Sequence, residues 1–151
     1  AQRPMKHVAG IPPVEQDGER LLLGAANTQR YSAYMAVVQA VDAQKLVSFY
    51  FRYYPLFQRA YEELGYGKSY FNTRLLKVID HLLATPVVDG PIELLRPKVL
   101  YQYADADLES RSFGQKLLIR IGPGNAAVLK AKLREIRAAI VARAKAPPAT
   151  N

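Results

Sequence analysis

Residues 46–64 read LVSFYFRYYPLFQRAYEEL, and this stretch decides how the chain folds. Five of its first nine residues are aromatic. At about 100° per residue, eight side chains fall within roughly 60° of one direction on a helix. They are Leu46, Phe49, Tyr50, Tyr53, Phe57, Ala60, Tyr61 and Leu64. The pattern predicts an amphipathic helix whose aromatic stripe faces the core, bent or restarted at Pro55 and ended by Gly65.

Phe51 is the exception, because it points toward the polar face of this predicted helix. Three explanations are open: intramolecular packing, contact with a partner, or stacking on nucleic-acid bases. Stacking requires basic residues around the ring, yet only Arg52 and Arg59 share its side, and Glu62 and Glu63 dilute their charge. Phe51 is therefore a partner-surface candidate, with internal packing as the more ordinary interpretation.

The composition indicates one domain without thiol chemistry. The chain has 151 residues, half of them hydrophobic, which suffices for a core. The absence of cysteine excludes disulfides, thiolate metal sites and cysteine nucleophiles, and the two histidines, His7 and His81, do not suggest a His-rich zinc site. No apolar stretch reaches the roughly 18–20 residues of a membrane span, and residues 1–13 lack the apolar region of a signal peptide. Because the chain begins with Ala, we expect it to be a piece of something longer.

The net charge of +8 lies at one end of the chain. Residues 111–151 contain nine basic residues and a single acid, Glu135, so this segment alone carries the whole net charge. The asymmetry favours an anionic partner, which is an anionic lipid headgroup, a cell-wall polymer, an acidic protein or, less readily, nucleic acid. A solvated helix face that only maintains solubility explains the asymmetry at least as well.

The remaining signals predict a mainly α, single compact domain of about five helices with a minor β-hairpin and an extended N-terminal arm. The arm covers residues 1–26 and includes the hairpin signal Asp17-Gly18. The helical domain covers residues 27–145, with caps at Asn27 or Thr28, Asp42, Ser69 and Ser112. We expect the remaining helices over residues 31–41, 70–84, 113–121 and 125–144, short strands at 92–95 and 99–103, and a disordered tail at 146–151.

Two places offer enzyme-like chemistry. His81 follows Asp80, but neighbours in sequence point about 100° apart on a helix, so a structural histidine is favoured over a catalytic one. Asp105, Asp107 and Glu109 alternate in ADADLES without the glycine that a calcium loop requires, which favours capping or pairing with Arg111. No catalytic residue, metal site or cofactor is assigned.

Two cationic sites are candidates for binding an anion. The segment GPGN begins the last helix, and Lys116 and Arg120 share one face of the preceding helix, so these two side chains with Gly124 and Asn125 form a candidate anion-binding corner. A plain corner between two helices is the favoured interpretation, and the anion-binding corner is a hypothesis. The last helix itself presents a candidate partner surface made of Lys130, Lys132, Arg134 and Arg137.

Two long runs resemble a known family. They are YPLFQRAYEELGYGKSYFNTRLLKVIDHLLATP at residues 54–86 and RPKVLYQYADADLESRSFGQKLLIRIGPGNAAVLKAKLRE at residues 96–135. Both resemble domain-of-unknown-function family 3014, a proteobacterial family. The resemblance implies an envelope protein with a cytoplasmic start, one transmembrane helix, a Pro-rich linker and this domain in the periplasm. It implies no known activity and supplies no catalytic residues.

The chain departs from that family at its beginning. From the resemblance we expect an anchor and a helical segment upstream of residues 2–14, and neither is found within these 151 residues. Either the chain is a fragment or a partner occupies the vacated surface, under which Phe51 could lie. We therefore expect a non-enzymatic interaction domain at the periplasmic face of the inner membrane, binding an anionic partner through the basic last helix. The alternatives are an envelope enzyme with a site near His81 or the Asp105/Asp107/Glu109 loop, and a nucleic-acid-binding module.

Overall fold

The computed structural model describes residues 12–67 and 69–145. The predicted arm before residue 12 and the predicted tail after residue 145 lie outside the described residues. The described residues contain seven α-helices and four short strands, which confirms a mainly helical fold with a minor sheet. In chain order the elements are β1 Val14–Asp17, β2 Arg20–Leu23, a 3₁₀ helix Ala25–Tyr31, α1 Ser32–Ala40, α2 Ala43–Arg52, α3 Tyr54–Tyr61, a π-helical turn Glu62–Tyr66, α4 Phe71–Leu83, β3 Glu93–Leu95, β4 Gln102–Tyr103, α5 Ala106–Ser110, α6 Phe113–Arg120 and α7 Pro123–Lys145.

The chain divides into two compact units. The sequence predicts one helical domain over residues 27–145. The described part of unit 1 comprises residues 12–36 and 85–127. The described part of unit 2 comprises residues 37–67, 69–84 and 128–145. Each unit is thus assembled from segments distant in sequence, and no linker-like composition marks the crossing points.

Unit 1 contains a four-stranded antiparallel sheet in the order β1-β2-β3-β4. The Asp17-Gly18 hairpin forms as predicted, with Gly18 at φ +61°, a left-handed conformation that glycine adopts without strain. The two short strands expected near residues 92–103 also pair, with Leu94 opposite Tyr103. The hairpin is therefore half of a larger sheet.

The core of unit 1 lies between this sheet and α6. Leu94, Tyr103 and Ile119 are buried and pack together with partly buried side chains that include Leu21, Leu23 and Leu108. Residues alternate along β2, so Leu21 and Leu23 reach the same face of the sheet. Ser112 caps α6 by accepting a hydrogen bond from the Gln115 amide, as the capping sequence predicts.

Asn27 does not cap a helix as expected; it is a buried side chain of unit 1. The 3₁₀ helix begins two residues earlier, after Gly24. Asn27 is 1% exposed, and its Nδ2 donates to the Arg120 carbonyl at 2.6 Å while its Oδ1 accepts from Arg30. A buried amide requires such partners, because an unsatisfied polar group is destabilising. The side-chain amide of Asn27, which would also suit a helix cap, therefore links the 3₁₀ helix to the end of α6.

Unit 2 is helical, and its core joins α2, α4 and the part of α7 from Val128 onward. Val47, Ile79, Ala139 and Ile140 are buried together, with Ile140 only 1% exposed. Asp42 caps α2 as predicted, accepting a hydrogen bond from the Lys45 amide at 2.9 Å. Tyr53 separates α2 from α3, and Pro55 lies in the first turn of α3, so the restart at Pro55 is what the structure shows.

A second cluster in unit 2 is aromatic and centres on Tyr50. Its ring contacts those of Tyr54, Phe57 and Phe71 at centroid distances of 5.8, 5.6 and 6.4 Å. Its hydroxyl donates to the Asn72 side chain at 3.2 Å. Burial, with a smaller contribution from Tyr54, raises the pKa of Tyr50 to about 12. The hydrogen bond holds this hydroxyl within an otherwise apolar cluster.

Candidate functional site

The predicted orientation of the aromatic helix is wrong at Leu46 and Phe49, although Tyr50, Phe57 and Tyr61 do pack in an aromatic cluster. Val47 is 3% exposed, and Phe51 packs against the core that Val47 forms with Ile140. Leu46 and Phe49, which the helical pattern assigned to the core, are 42% and 58% exposed. Phe51 is thus a partly buried side chain that packs against the core, which confirms internal packing and removes it from the candidate partner surface.

The reason is that α2 is apolar on more than one face. Ala43, Val47 and Phe51 recur at four-residue spacing and form one apolar row, while Leu46, Phe49 and Tyr53 form another. A pattern based on the larger number of aromatic residues selects the second row. The core of unit 2 is built from the first row, whose members pack beside Ile79 and Ile140.

The outward row leaves a surface that sequence reasoning missed. We call it the aromatic–basic face, and it consists of Leu46, Phe49, Tyr53, Leu56, Lys45 and Arg52. Leu56 is 64% exposed and lies in the first turn of α3, three residues after Tyr53, whose carbonyl accepts a hydrogen bond from the Leu56 amide at 3.0 Å. Its signal in the sequence was the surplus of large apolar side chains, more than one helix face can bury.

Ring contacts organise this face. The rings of Phe49 and Tyr53 lie 4.7 Å apart, and the Arg52 guanidinium lies 5.7 Å from the Tyr53 ring centroid, a cation–π distance. Lys45 and Arg52 are exposed and form no ion pair with any carboxylate among residues 12–67 and 69–145. The face therefore combines exposed apolar area with positive charge.

The predicted partner surface on the last helix is largely engaged within unit 2. Lys130 is 8% exposed. The Lys132 ammonium donates to the Val41 carbonyl at 2.9 Å and to Glu135 at 2.7 Å, and Arg137 pairs with Asp80 at 2.6 and 3.2 Å. Arg134 alone of the four candidates is exposed without an ion pair in the described part of the chain.

Arg137 and Asp80 form an ion pair in which each side chain shifts the pKa of the other. The hydrogen bond and the charge of Arg137 lower the pKa of the Asp80 carboxyl, and Asp80 raises the pKa of Arg137. Both side chains are exposed, at 41% and 50%, so solvent screens the pair and limits its contribution to stability. The pair does reduce the positive charge that α7 presents to a partner.

The four residues of the predicted anion-binding corner do not act as one site. The Lys116 ammonium is held by Glu109, with contacts of 2.7 Å to Oε1 and 3.0 Å to the carbonyl. Asn125 donates through Nδ2 to the carbonyls of Thr28 and Ile121, and thereby stabilises the corner itself. Gly124 is exposed at the start of α7, and Arg120 lines a groove of its own.

That groove belongs to unit 1 and has a volume of about 650 Å³. Its apolar lining includes Leu23, Leu94, Val99 and Leu100. Its polar lining is made by Arg96, Tyr101, Gln102, Tyr103, Glu109 and Arg120. Volumes of this size are typical of small-molecule sites. Sequence reasoning did not single out Arg96 or Tyr101, because they lie in irregular backbone around a two-residue strand.

The charged side chains of the groove differ in whether they form ion pairs. Glu109 accepts hydrogen bonds from Lys116 and from the Tyr103 amide at 2.9 Å, and these partners lower the pKa of its carboxyl. Arg96 packs over the Tyr101 ring at 5.5 Å, and the Arg120 side chain hydrogen-bonds Tyr103, whose pKa burial nevertheless raises. Within the described chain, neither arginine forms an ion pair.

The depressed pKa of Glu109 predicts acid sensitivity in unit 1. Because the folded state favours the charged form, the stabilisation is fully present above the pKa of Glu109 in the unfolded chain, about 4.3, and disappears as the pH falls through the folded value. We expect Glu109→Gln to be less stable at neutral pH by on the order of 1 kcal/mol, since partial exposure screens the charge. The variant should also lose less stability between pH 6 and pH 3.

Urea unfolding across that pH range checks this expectation. Glu19→Gln is the matched control, because Glu19 is exposed in the hairpin and has no ion pair among the described residues. Equal pH slopes for the parent chain and Glu109→Gln would contradict the assigned role of Glu109.

The residues considered for catalysis have structural partners. Asp105 caps α5 by accepting from the amides of Asp107 and Leu108, and the Asp107 carboxylate pairs with Arg111 at 2.6 Å. With Glu109 bound by Lys116, the three acids are each engaged, in agreement with the capping and pairing interpretation. His81 is an exposed residue on α4. The described residues contain no cluster of three or more side chains suited to hold a metal ion.

A family model described as "Protein of unknown function (DUF3014)" matches residues 1–137. No curated protein and no solved structure matches the chain. In the described part of the chain, no helix is both long enough and apolar enough to cross a bilayer.

Proposed function

We propose that this chain, which belongs to the DUF3014 family, is a non-enzymatic interaction domain that binds the surface of an anionic lipid bilayer. The site of contact is the aromatic–basic face of unit 2. The location is the periplasmic face of the inner membrane of a bacterial envelope. This location rests on the resemblance of residues 54–86 and 96–135 to membrane-anchored envelope proteins.

The observation that carries the proposal is the combination of exposed ring, aliphatic and cationic groups on one face. Phe49 and Leu56 are 58% and 64% exposed, and such apolar area is unfavourable in water. Tyr53 has an apolar ring and a polar tip, which suits the boundary between acyl chains and headgroups. Lys45 and Arg52 lie beside these groups, and each basic residue near an anionic surface contributes about 1 kcal/mol.

Lipid fits this face better than a cell-wall polymer or nucleic acid does. A cell-wall polymer or nucleic-acid backbone would use the cations but leave Leu46, Phe49 and Leu56 in water. A bilayer interface accepts both the cations and the apolar side chains. The last helix then has a smaller role than its composition suggests, because Lys132 and Arg137 already have partners within unit 2.

Co-sedimentation with vesicles tests the proposal. Vesicles of phosphatidylcholine alone and of phosphatidylcholine mixed with phosphatidylglycerol are compared at low and high salt. We expect binding to the anionic vesicles that weakens with salt, and a loss of about tenfold or more in Phe49→Ser/Leu56→Ser. Arg134→Gln/Arg143→Gln is the matched control on the last helix, where both residues are exposed, and should bind within a factor of a few of the parent.

The complete lack of tryptophan in the chain provides a second readout. Phe49→Trp should show a blue-shifted emission with anionic vesicles and quenching by lipids brominated on their acyl chains. Phe113→Trp, at a residue of unit 1 that is 79% exposed, should show neither change. An unchanged Phe49→Trp spectrum, or binding abolished by the last-helix control instead, would contradict the proposed surface.

A further inference from the structure

We infer that the groove of unit 1 is a binding site for a small amphiphilic monoanion, a carboxylate that carries an aliphatic chain. The inference is independent of the proposed lipid-surface contact, because that contact uses unit 2, whereas every described residue that lines the groove belongs to unit 1.

Two cationic side chains, Arg96 and Arg120, line the groove. Neither forms an ion pair with a carboxylate among the residues described. A guanidinium presents a planar fork of donors that matches a carboxylate in a bidentate arrangement. The Arg96 guanidinium packs over the Tyr101 ring, and the Arg120 side chain hydrogen-bonds Tyr103.

The charge of the described lining favours an anion. Its cations are Arg96 and Arg120, and its one acid, Glu109, is already paired with the Lys116 ammonium at 2.7 Å. Positive charge therefore remains in the groove for a ligand to balance. A carboxylate supplies one negative charge in a group that a guanidinium binds through two parallel hydrogen bonds.

The apolar part of the lining, which we call the apolar wall, indicates that the rest of the ligand is aliphatic. Val99 and Leu100 line the groove, yet they are 80% and 78% exposed, and Leu23 and Leu94 continue the apolar surface inward. An aliphatic chain laid against this wall would remove that area from water. The volume of about 650 Å³ accommodates a small molecule in this arrangement.

Isothermal titration of the complete chain with decanoate, below its micellar concentration, tests the inference. We expect saturable binding of one molecule, weaker binding of hexanoate because the shorter chain covers less of the wall, and no saturable binding of decanol. Arg96→Gln should weaken decanoate binding by about tenfold or more, the usual effect of one charge-assisted hydrogen bond.

Lys98→Gln is the matched control, since Lys98 is exposed two residues from Arg96 and does not line the groove. It should bind decanoate within about twofold of the parent chain. Phe49→Ser/Leu56→Ser should also bind as the parent does, which separates the groove from the face of unit 2. Equal binding of decanoate and decanol, equal losses in Arg96→Gln and Lys98→Gln, or the absence of saturable binding would each overturn the inference.

Discussion

Ile140→Ala is expected to lower the free energy of unfolding by about 2–5 kcal/mol. Ile140 is 1% exposed and packs with Val47, Ile79 and Ala139 at the centre of unit 2. Truncation removes its transfer free energy and leaves a cavity between helices that can only partly close. Ile140→Val, which removes a single methylene, should lose about 0.5–1.5 kcal/mol.

Urea unfolding followed by circular dichroism measures both variants. Arg143→Ala is the control on the same helix, because Arg143 is exposed and alanine is at least as favourable in a helix. It should remain within about 0.5 kcal/mol of the parent chain. If Ile140→Ala proved no less stable than Arg143→Ala, α7 would not be part of the core described for unit 2.

The second large effect is expected at Gly122, where α6 ends and α7 begins. Gly122 has φ +87°, and a Cβ added there would lie 2.4 Å from the Thr28 methyl carbon Cγ2. A side chain in the left-handed region is unfavourable by about 1–2 kcal/mol, and overpacking adds about 1–3 kcal/mol. Gly122→Ala should therefore destabilise the protein by about 2–5 kcal/mol.

Thr28→Ser separates these two contributions. Serine keeps the hydroxyl that donates to the Ala25 carbonyl at 3.1 Å. It lacks the methyl group of Thr28, with which the new Cβ of Gly122→Ala would collide. In the double variant Gly122→Ala/Thr28→Ser, the steric part should be recovered and the backbone part should remain. Additive losses in the double-mutant cycle would show that the close approach of Gly122 to Thr28 is not what makes glycine necessary.

Local signals in the sequence predicted most of the elements, because each is set by chemistry within a few residues. Asp42 and Ser112 cap the helices expected of them, and Asp17-Gly18 forms the expected hairpin. Gly122 and Pro123 stop one helix and start the next, as a glycine with positive φ and a proline in the first turn should. These features require no knowledge of distant partners.

The orientation of α2 was not predictable in this way, because two apolar rows compete and the choice depends on what packs against them. Val47 and Phe51 face Ile79 and Ile140, which are distant in sequence. The same limit applies to charge. The cations Lys132 and Arg137 are obvious in the sequence, but their engagement by Val41 and Asp80 is a tertiary property. Composition therefore predicted an anionic partner without locating the surface that would meet it.

The groove was missed for a related reason. Arg96 and Arg120 lie 24 positions apart in sequence, one in irregular backbone and the other at the end of α6. Their joint presence in the lining depends on the pairing of β3 with β4 and on the packing of Ile119 beneath that pair. A pairing of only two residues leaves a weak sequence pattern, so neither arginine could be assigned to a common site in advance.

The contact between Glu109 and the Tyr103 amide has a consequence for how the chain behaves among other copies of itself. β4 is an outer strand of the sheet, and the Glu109 carboxylate occupies one of the amides along its outer edge. Without that carboxylate, the strand would offer a free amide next to the exposed aliphatic groups of Val99 and Leu100, an arrangement that promotes pairing between molecules. Substitution of Glu109 should therefore reduce the soluble yield of the protein. A variant survey scored only on yield would rank this partly exposed acid beside buried residues such as Ile119.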